Sequence, residues 1–394
     1  MTPGHGLGPA RPSRRGLLTG GLALGASLAL PGCAYIRDDV PTAAPLPPSA
    51  KAEIDGDLVY FNWADYLAPK VVKGFQEEYG VKVVESNYDS MEGMYAKIAA
   101  GNQYDIVFPI AKWVVKLRRE GKLRAIDHAR LTNADQVFYS GSYFNDPWYD
   151  EGSQVSVPFT VYKTGIGWRT DKVKEDVAKL ADPYEILWNS SHRGRVGVLD
   201  EYRETIGMVL LKNGISNLNT TRPKHLDLVR QDLLDLASAT RPVIDVNAYE
   251  DLPTGKTWVS MAFSGDLVAA PEYLPEGVNP EVLGYWFPLD GRGTVGNDLM
   301  TILRSSRNPV LAHHFLNFLL DFDMAMLNLE WNGFQPPLVR IDPSVLVKQG
   351  YIPPNLTTAV VRQEYFETGF RAVELDPQVD KSWRDVWSQF KAKL

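Results

Sequence analysis

Short apolar runs alternate with amphipathic segments three times in succession near the start of the folded region. The runs comprise residues 58–61, 81–84 and 104–108, and each has the length and composition of a buried strand. The first of the segments between them has Pro69 early and Gly80 as its stop, as helices often do. Because strands that alternate with helices assemble into layered sheets, this pattern predicts an α/β fold with a largely parallel sheet.

The same alternation recurs later in the chain. Further strands are predicted at 195–199, 259–263 and 298–302. Further helices are predicted at about 205–212, from 308 through 327, and around 383–390, where four apolar residues share one face. No repeat of fixed period accompanies this alternation.

The chain is long enough to form two domains of ordinary size. With a single cysteine it cannot rely on disulfides, so each domain needs its own hydrophobic core. We predict two α/β lobes that the chain visits alternately. The first lobe comprises 56–162 and 295–345, and the second comprises 163–294 and 346–394.

The single cysteine, Cys33, follows two adjacent arginines and an apolar stretch. Arg14 and Arg15 precede a run shorter than the ~20 residues that span a bilayer, which indicates a twin-arginine export signal. The residues up to Cys33 resemble the lipobox of bacterial lipoproteins, which implies cleavage before Cys33 and lipid on its thiol. We therefore predict a signal peptide at 1–32, a lipidated cysteine with a flexible tether at 33–55, and anchoring to the outer face of the cytoplasmic membrane, in the periplasm or at the cell surface. The alternative is that Cys33 is a small buried hydrophobic residue.

The charge of the chain limits its partners. The whole sequence has 41 basic and 48 acidic residues, a formal net charge of −7. Removal of the three arginines that precede Cys33 leaves 38 basic and 48 acidic residues, a formal charge of −10. Nucleic-acid binding depends on a cationic surface, so we expect no nucleic-acid partner. A cationic ligand is compatible with this balance, although net charge alone is weak evidence about partners.

Sequence motifs of common enzymes and cofactor sites are mostly absent. There is no G-x-S-x-G, no H-E-x-x-H and no P-loop. The stretch from Gly291 to Gly296 matches G-x-G-x-x-G, but an apolar strand follows it, whereas the dinucleotide fingerprint requires a helix there. We therefore interpret 291–296 as a mobile loop and expect neither a cofactor nor a metal.

Aromatic and acidic residues follow several predicted strands. Trp63, Asp65 and Tyr66 follow the first strand and Tyr88 follows the second, while an acidic segment at 201–204 follows the strand at 195–199. Ligands of open α/β sheets bind outside the carboxyl ends of the strands, so all three segments are expected at one crevice. Carboxylates there can accept hydrogen bonds from an ammonium group, and an aromatic face can bind its charge. The alternatives are that the acids merely favour a helix N-terminus and that Trp63 belongs to the core.

These residues carry a resemblance to a known family. The stretch from Tyr60 to Tyr66 (Y-F-N-W-A-D-Y), Tyr88 with Met91 to Lys97, and the stretches 104–109 and 131–133 resemble segments of spermidine/putrescine-binding proteins. Those proteins are the extracytoplasmic receptors of polyamine ABC transporters. The similarity extends from about 57 to 394 and keeps its order. It implies a two-lobed fold of the periplasmic-binding-protein type (type II), with a hinge and a central ligand cleft.

The resemblance also implies which residues contact the ligand. By position, Glu201 and Glu204 correspond to an acidic pair of the family, and Asp298 corresponds to an aspartate that binds an amine. The full predicted set is Trp63, Asp65, Tyr66, Tyr88, Glu201, Glu204, Phe263, Asp298, Phe334 and Glu374.

Several positions depart from the family pattern. Phe263 replaces a ligand-stacking tryptophan, Gly296 replaces a second tryptophan, and Phe334 replaces a tyrosine. Glu374 replaces a glutamine. Two lysines, Lys112 and Lys163, are expected near the cleft, where they would oppose a polycation. The charge recognition is therefore retained while the aromatic walls are altered.

Together these features favour a receptor without catalytic chemistry. A linear polyamine, spermidine or putrescine, would lie in the cleft, and the closed receptor, a monomer, would deliver it to a membrane permease. Two alternatives stay open: the same fold with another organic cation or small solute, and a secreted enzyme that uses the carboxylates as acid and base.

Overall fold

A computed structural model of the protein describes residues 46, 56–134, 137, 147–341 and 343–394. The predicted signal peptide at 1–32, the lipidation site Cys33 and, apart from residue 46, the tether at 33–55 lie outside the described residues.

Nine strands form one mixed sheet in the described part of the chain. They are β1 (Leu58–Trp63), β2 (Val83–Tyr88), β3 (Ile106–Val107), β4 (Val157–Arg169), β5 (Val196–Leu199), β6 (Val243–Asp245), β7 (Val259–Phe263), β8 (Leu283–Trp286) and β9 (Thr294–Ile302). Their order in the sheet is β2-β1-β3-β9-β4-β7-β5-β6, and β8 pairs with β4.

The two outer regions of the sheet are parallel and its centre is antiparallel. Strands β1–β2, β1–β3, β5–β6 and β5–β7 pair in parallel. Strands β3–β9, β4–β9, β4–β7 and β4–β8 pair antiparallel. The prediction of a largely parallel sheet is therefore wrong for the centre, because the pattern of short strands did not reveal the long strand β4 that the other antiparallel strands flank.

The helices cover both faces of this sheet. They are α1 (Pro69–Tyr79), α2 (Met91–Ala99), α3 (Ala111–Arg119), α4 (Tyr202–Lys212), α5 (Pro223–Thr240), α6 (Ala248–Thr254), α7 (Ser264–Ala269), α8 (Pro309–Leu319), α9 (Phe322–Asn332), α10 (Pro343–Lys348), α11 (Tyr365–Thr368) and α12 (Pro377–Lys391). Short 3₁₀ helices lie at His128–Arg130, Glu151–Ser153, Val177–Lys179, Pro183–Trp188, Ser190–His192, Ala270–Tyr273, Pro280–Val282 and Pro354–Ala359.

Side chains that alternate along the strands fill different cores. In β1, Tyr60 packs in the cluster around Phe315 of α8, whereas Phe61 packs in the cluster around Val114 of α3. Successive strand residues point to opposite faces, so this half of the sheet is covered on both sides. A third cluster, centred on Trp383 of α12, covers β5, β7 and α4 in the other half.

Several predicted elements differ from the structure. The strands β1 and β2 extend to Trp63 and Tyr88, beyond the predicted 58–61 and 81–84, and β9 begins at Thr294 instead of residue 298. The single helix predicted from 308 through 327 is two helices, because Asp321 accepts hydrogen bonds from the Asp323 and Met324 amides and begins α9. The glycine motif at 291–296 leads into a strand as expected, but the interpretation as a loop is wrong for 294–296, which belong to β9.

Among the described helices, none is by itself long and apolar enough to cross a membrane. The helices α8 and α9 reach the length and apolar composition of a membrane span only when they are taken together, and a 75° bend separates them.

Candidate functional site

One face of the sheet centre collects polar and aromatic side chains from β4 and its neighbours. Thr160, Tyr162 and Thr164 alternate along β4 and therefore share a face. The register pairs Thr160 with Asp298 and Tyr162 with Gly296 on β9, so those positions lie on that face as well. We call this set of positions the central face.

Asp298 is the acid at one end of the central face. Its Oδ2 accepts hydrogen bonds from Tyr66 Oη and, over 3.0 Å, from Thr160 Oγ1. Burial raises the pKa of Asp298 to about 6, while the hydrogen bonds from Tyr66 and Thr160 oppose that rise. The carboxyl group is thus held in position. Because burial disfavours its ionised form, a bound cation would stabilise that form strongly.

Glu204 is the acid at the other end. Its Oε2 accepts a hydrogen bond of 2.8 Å from Thr164 Oγ1. Burial raises the pKa of Glu204 to about 7; the hydrogen bond from Thr164 opposes the rise and the charge of Glu201 adds to it. Two buried carboxyl groups are therefore each held by a threonine of the same strand.

Glu201 combines a capping role with an ion pair. Its carboxylate accepts a hydrogen bond of 3.2 Å from the Arg203 amide and thereby caps α4. The Nζ atom of Lys112, on α3, lies 3.5 Å from Glu201 Oε1 and 5.3 Å from the ring centroid of Tyr202. The sequence-based alternative of a helix-terminal role is thus correct for Glu201, which also has a charged partner.

Aromatic rings lie between and beside the two acids. The ring centroids of Tyr162 and Phe263 are 5.0 Å apart, and those of Phe334 and Tyr66 are 5.3 Å apart. Phe263 and Phe334 are 6.3 Å apart and join the two pairs. These rings offer apolar surface that can cover methylene groups and faces that can bind a positive charge.

Trp63 and Tyr88 form a neighbouring aromatic pair at the ends of β1 and β2. Their ring centroids are 4.8 Å apart, and Tyr88 Oη donates a hydrogen bond of 2.6 Å to the Phe108 carbonyl oxygen. Burial, followed by the charge of Asp298, raises the pKa of Tyr88 well above its ordinary value. Next to Phe108, the Pro109 carbonyl oxygen accepts a hydrogen bond of 3.0 Å from the amide of Leu299, the neighbour of Asp298, so this pair lies near the central face.

Three other predicted residues lie elsewhere. Asp65 is exposed at φ 57°, and its carbonyl oxygen accepts a hydrogen bond of 2.8 Å from Trp331 Nε1. Glu374 is exposed and its Oε2 lies 2.6 Å from Arg119 Nη1. Lys163 was expected near the cleft. It directly precedes Thr164 on β4, so its side chain points to the opposite face of the sheet, away from the central face.

The opposite face of β4 holds the Lys163 ammonium in an enclosed position. Its Nζ donates a hydrogen bond of 3.0 Å to the Val360 carbonyl oxygen. The same atom lies 4.7 Å and 4.6 Å from the ring centroids of Phe287 and Tyr365. Lys163 therefore does not oppose a cation at the central face.

Sequence reasoning missed the residues that β4 contributes. Thr160, Tyr162 and Thr164 lie in a stretch that was not assigned as a strand. Asp266 was also missed: its Oδ2 accepts a hydrogen bond of 2.9 Å from the Phe263 amide, and burial raises its pKa to about 8. The signal that could have found them is the run of β-branched and aromatic residues at 157–164, which favours a strand.

Solved structures of similar fold are two-lobed binding proteins. A putative spermidine/putrescine ABC transporter protein from Listeria monocytogenes matches with a TM-score of 0.71 at 25% identity, covering 85% of this chain and 98% of that chain. A lipoprotein of Treponema pallidum matches with a TM-score of 0.69 at 22% identity, covering 85% and 99%. The fold thus defines an α/β binding protein of the two-lobed periplasmic class, as predicted.

The family follows from the sequence comparison. Residues 70–352 match the family of bacterial extracellular solute-binding proteins, and the chain belongs to that family. It is 30% identical over 292 residues to the spermidine/putrescine-binding periplasmic protein of Escherichia coli K12, covering 73% of this chain and 80% of that protein. It is also 30% identical over 278 residues to a putrescine/cadaverine-binding protein of Pseudomonas aeruginosa, covering 69% and 77%.

Proposed function

We propose that this protein binds a polyamine on the central face and presents it to the permease of an ABC transporter. The observation that carries the proposal is the pair of buried carboxyl groups, Asp298 and Glu204, each held by a threonine of β4 with Tyr162 between them. Each acid can accept N–H bonds from one ammonium group, while the rings cover the methylenes. The names of the related proteins support the same ligand class.

The remaining aromatic residues complete this proposal. Trp63, Tyr66 and Tyr88 would line the site from the β1 side, and Phe263 and Phe334 from the other side. Glu201, which is paired with Lys112, would lie beside Glu204 at the edge of the site. Asp65 and Glu374, which are exposed, would contribute at the rim.

We also propose a hinge at the strands that both lobes share. The predicted lobe boundary between residues 162 and 163 falls inside β4, and the one between 294 and 295 falls inside β9. Ligand contacts from both lobes would favour the closed state because only that state makes all of them.

Isothermal titration calorimetry of the purified protein tests the ligand class. Putrescine or spermidine should bind with micromolar or tighter affinity, which corresponds to about −8 kcal/mol. Glucose should give no signal. If both polyamines are silent and another organic cation or solute binds, the alternative receptor of the same fold is the correct one.

We propose a receptor in preference to a carboxylate enzyme. Each acid accepts a hydrogen bond from a threonine hydroxyl, which holds the carboxyl group in one position, as a binding site requires. The family to which the chain belongs binds solutes. Prolonged incubation with the bound polyamine, followed by NMR, should return the polyamine unchanged. Turnover that disappears in Glu204→Gln would favour the enzyme.

The location of the receptor completes the proposal. A twin-arginine signal at 1–32 and lipid on Cys33 would hold a monomeric receptor near its permease and raise its effective concentration there. The substitution Cys33→Ala should release a protein that still binds ligand but supports little uptake. Unchanged membrane association of that variant would contradict the anchor.

A further inference from the structure

The two threonine-held acids are separated by a fixed length of strand. Thr160 and Thr164 are four residues apart on β4, which corresponds to about 13 Å along the strand. Thr160 holds Asp298 at one end and Thr164 holds Glu204 at the other. Tyr162 lies between them on the same face.

This separation can be compared with a ligand. An extended diamine with four methylenes spans roughly 6 Å between its nitrogens, by ordinary bond lengths. One N–H···O bond of about 3 Å at each end brings the span between carboxylate oxygens to about 12 Å. Each carboxylate oxygen lies within 3.0 Å of its threonine hydroxyl, so the threonine spacing sets the scale of the separation between the two acids and favours a diamine of four or five methylenes over an extended triamine.

The third acid of the site already has a cation. Lys112 Nζ lies 3.5 Å from Glu201 Oε1, and the Lys112 side chain is only 13% exposed. A lysine side chain consists of four methylenes and a primary ammonium group, so it has the chemistry of one end of a polyamine. The buried Asp266 is engaged as the cap of α7 through the Phe263 amide.

We infer that the site selects diamines over triamines and that Lys112 is a specificity-determining residue, because it neutralises Glu201 and leaves two acids for two ligand ammonium groups. A third ammonium group would be desolvated beside Lys112 without a buried carboxylate of its own, which is unfavourable. This inference rests on the proposed polyamine function and adds to it the charge and length of the ligand.

Calorimetry with 1,3-diaminopropane, putrescine, cadaverine and spermidine tests the inference. The wild-type protein should bind putrescine and cadaverine at least about tenfold more tightly than spermidine, a factor equivalent to ~1.4 kcal/mol. In Lys112→Met, freeing Glu201 should improve spermidine binding and reduce this preference by a similar factor. Lys112→Arg keeps the charge and should keep the preference.

Lys116→Met is the matched control. Lys116 lies one turn further along α3, where it pairs with Glu120 at 3.0 Å and lies over the Tyr95 ring, so the preference should not change. Melting curves of each variant establish folding, and the wild-type preference tests the spacing even if Lys112→Met fails to fold.

The contrary outcomes separate this inference from the proposed function. Equal or tighter binding of spermidine by the wild-type protein overturns the inference and leaves polyamine binding intact. A parallel loss for all ligands in Lys112→Met also overturns it, because it would assign Lys112 to holding α3 against α4. Absence of binding by every amine overturns both.

Discussion

The ring of Tyr162 lies over Gly296, its direct cross-strand partner on β9. A Cβ atom added at position 296 would lie 2.5 Å from Tyr162 Oη and 2.7 Å from Cε2, too close for either to stay in place. Glycine at 296 therefore provides the space that lets an aromatic ring from β4 lie on the central face. The family resemblance places a tryptophan at position 296, where this chain has glycine. The Tyr162 ring from the neighbouring strand lies over that position instead.

Gly296→Ala should displace the Tyr162 ring and weaken ligand binding by about tenfold, a change of ~1.4 kcal/mol. Titration calorimetry measures the loss. The double variant with Tyr162→Ala removes the clash, so the two changes should be strongly non-additive.

Gly207→Ala is the control for the added methyl group. Gly207 lies in α4, and a Cβ atom added there would lie 3.7 Å from Leu218 Cδ1, an ordinary van der Waals contact, so affinity should be retained and stability should rise slightly. Additive effects of the changes at 162 and 296 would contradict the packing relationship.

Asp298→Asn should reduce polyamine affinity by about 10- to 150-fold, because one charge-assisted interaction contributes ~1.5–3 kcal/mol. The amide oxygen can still accept the hydrogen bond from Thr160, so the melting temperature should fall little. Asp385→Asn, on the exposed face of α12, is the control and should leave binding unchanged. Full affinity in Asp298→Asn would remove this residue from the site.

The stability of the ligand-free protein should fall as the pH rises from about 4.5 to about 7. Burial raises the pKa of Glu204 from 4.5 to about 7, so in this range the folded protein retains a proton that the unfolded chain has released. The raised pKa corresponds to at most about 3 kcal/mol of unfolding free energy. Urea unfolding at pH 5 and pH 8 measures the difference.

Asp298 and Asp266, whose pKa values burial raises to about 6 and about 8, contribute to the slope in the same direction. Glu204→Gln should therefore reduce this pH dependence without removing it, and the exposed Glu276→Gln should leave it unchanged. Polyamine favours the ionised carboxylate, so a saturating amount should also reduce the slope and cause proton release on binding near pH 6–7. A slope that persists unchanged in Glu204→Gln would show that other groups produce it.

Glu374→Gln should change ligand affinity less than fivefold, because the exposed Glu374 carboxylate already pairs with Arg119. The loss of that exposed ion pair should change the free energy of unfolding by only about 0–1 kcal/mol. The partner residue Arg119 makes the same contact from α3, so Arg119→Gln should have a matching effect. Calorimetry on both variants compares them. A large loss for Glu374→Gln alone would assign the carboxylate a direct ligand contact.

The sequence predicted the presence of β1, β2 and β5 and the aromatic and acidic residues near their carboxyl ends, because short apolar runs that follow a glycine are typical of buried strands. The bounds were less accurate, since β1 and β2 extend to Trp63 and Tyr88, beyond the predicted 58–61 and 81–84. It did not predict β4, whose residues from Phe159 onward are all buried. Such a strand lacks the alternation between buried and exposed residues that identifies half-exposed strands.

The consequences for the site were specific. Without β4, the threonines that hold Asp298 and Glu204 could not be found. Without β4, Lys163 could not be assigned to a face of the sheet either. Consecutive strand residues point to opposite faces, so Lys163 lies on the face opposite Tyr162. Asp298 itself was predicted only through the family resemblance, because its partner Tyr66 is 232 residues away.

The pairing of β3 with β9 determines when the sheet of this protein can be completed. Thr301 and Val107 are hydrogen-bonded across 194 residues of sequence, so β3 keeps an open edge until most of the chain has been synthesised. A nascent chain that ends before Thr294 should therefore expose that edge and aggregate. Export of the finished, folded protein through the proposed twin-arginine route would allow synthesis to be completed before the chain has to cross a membrane.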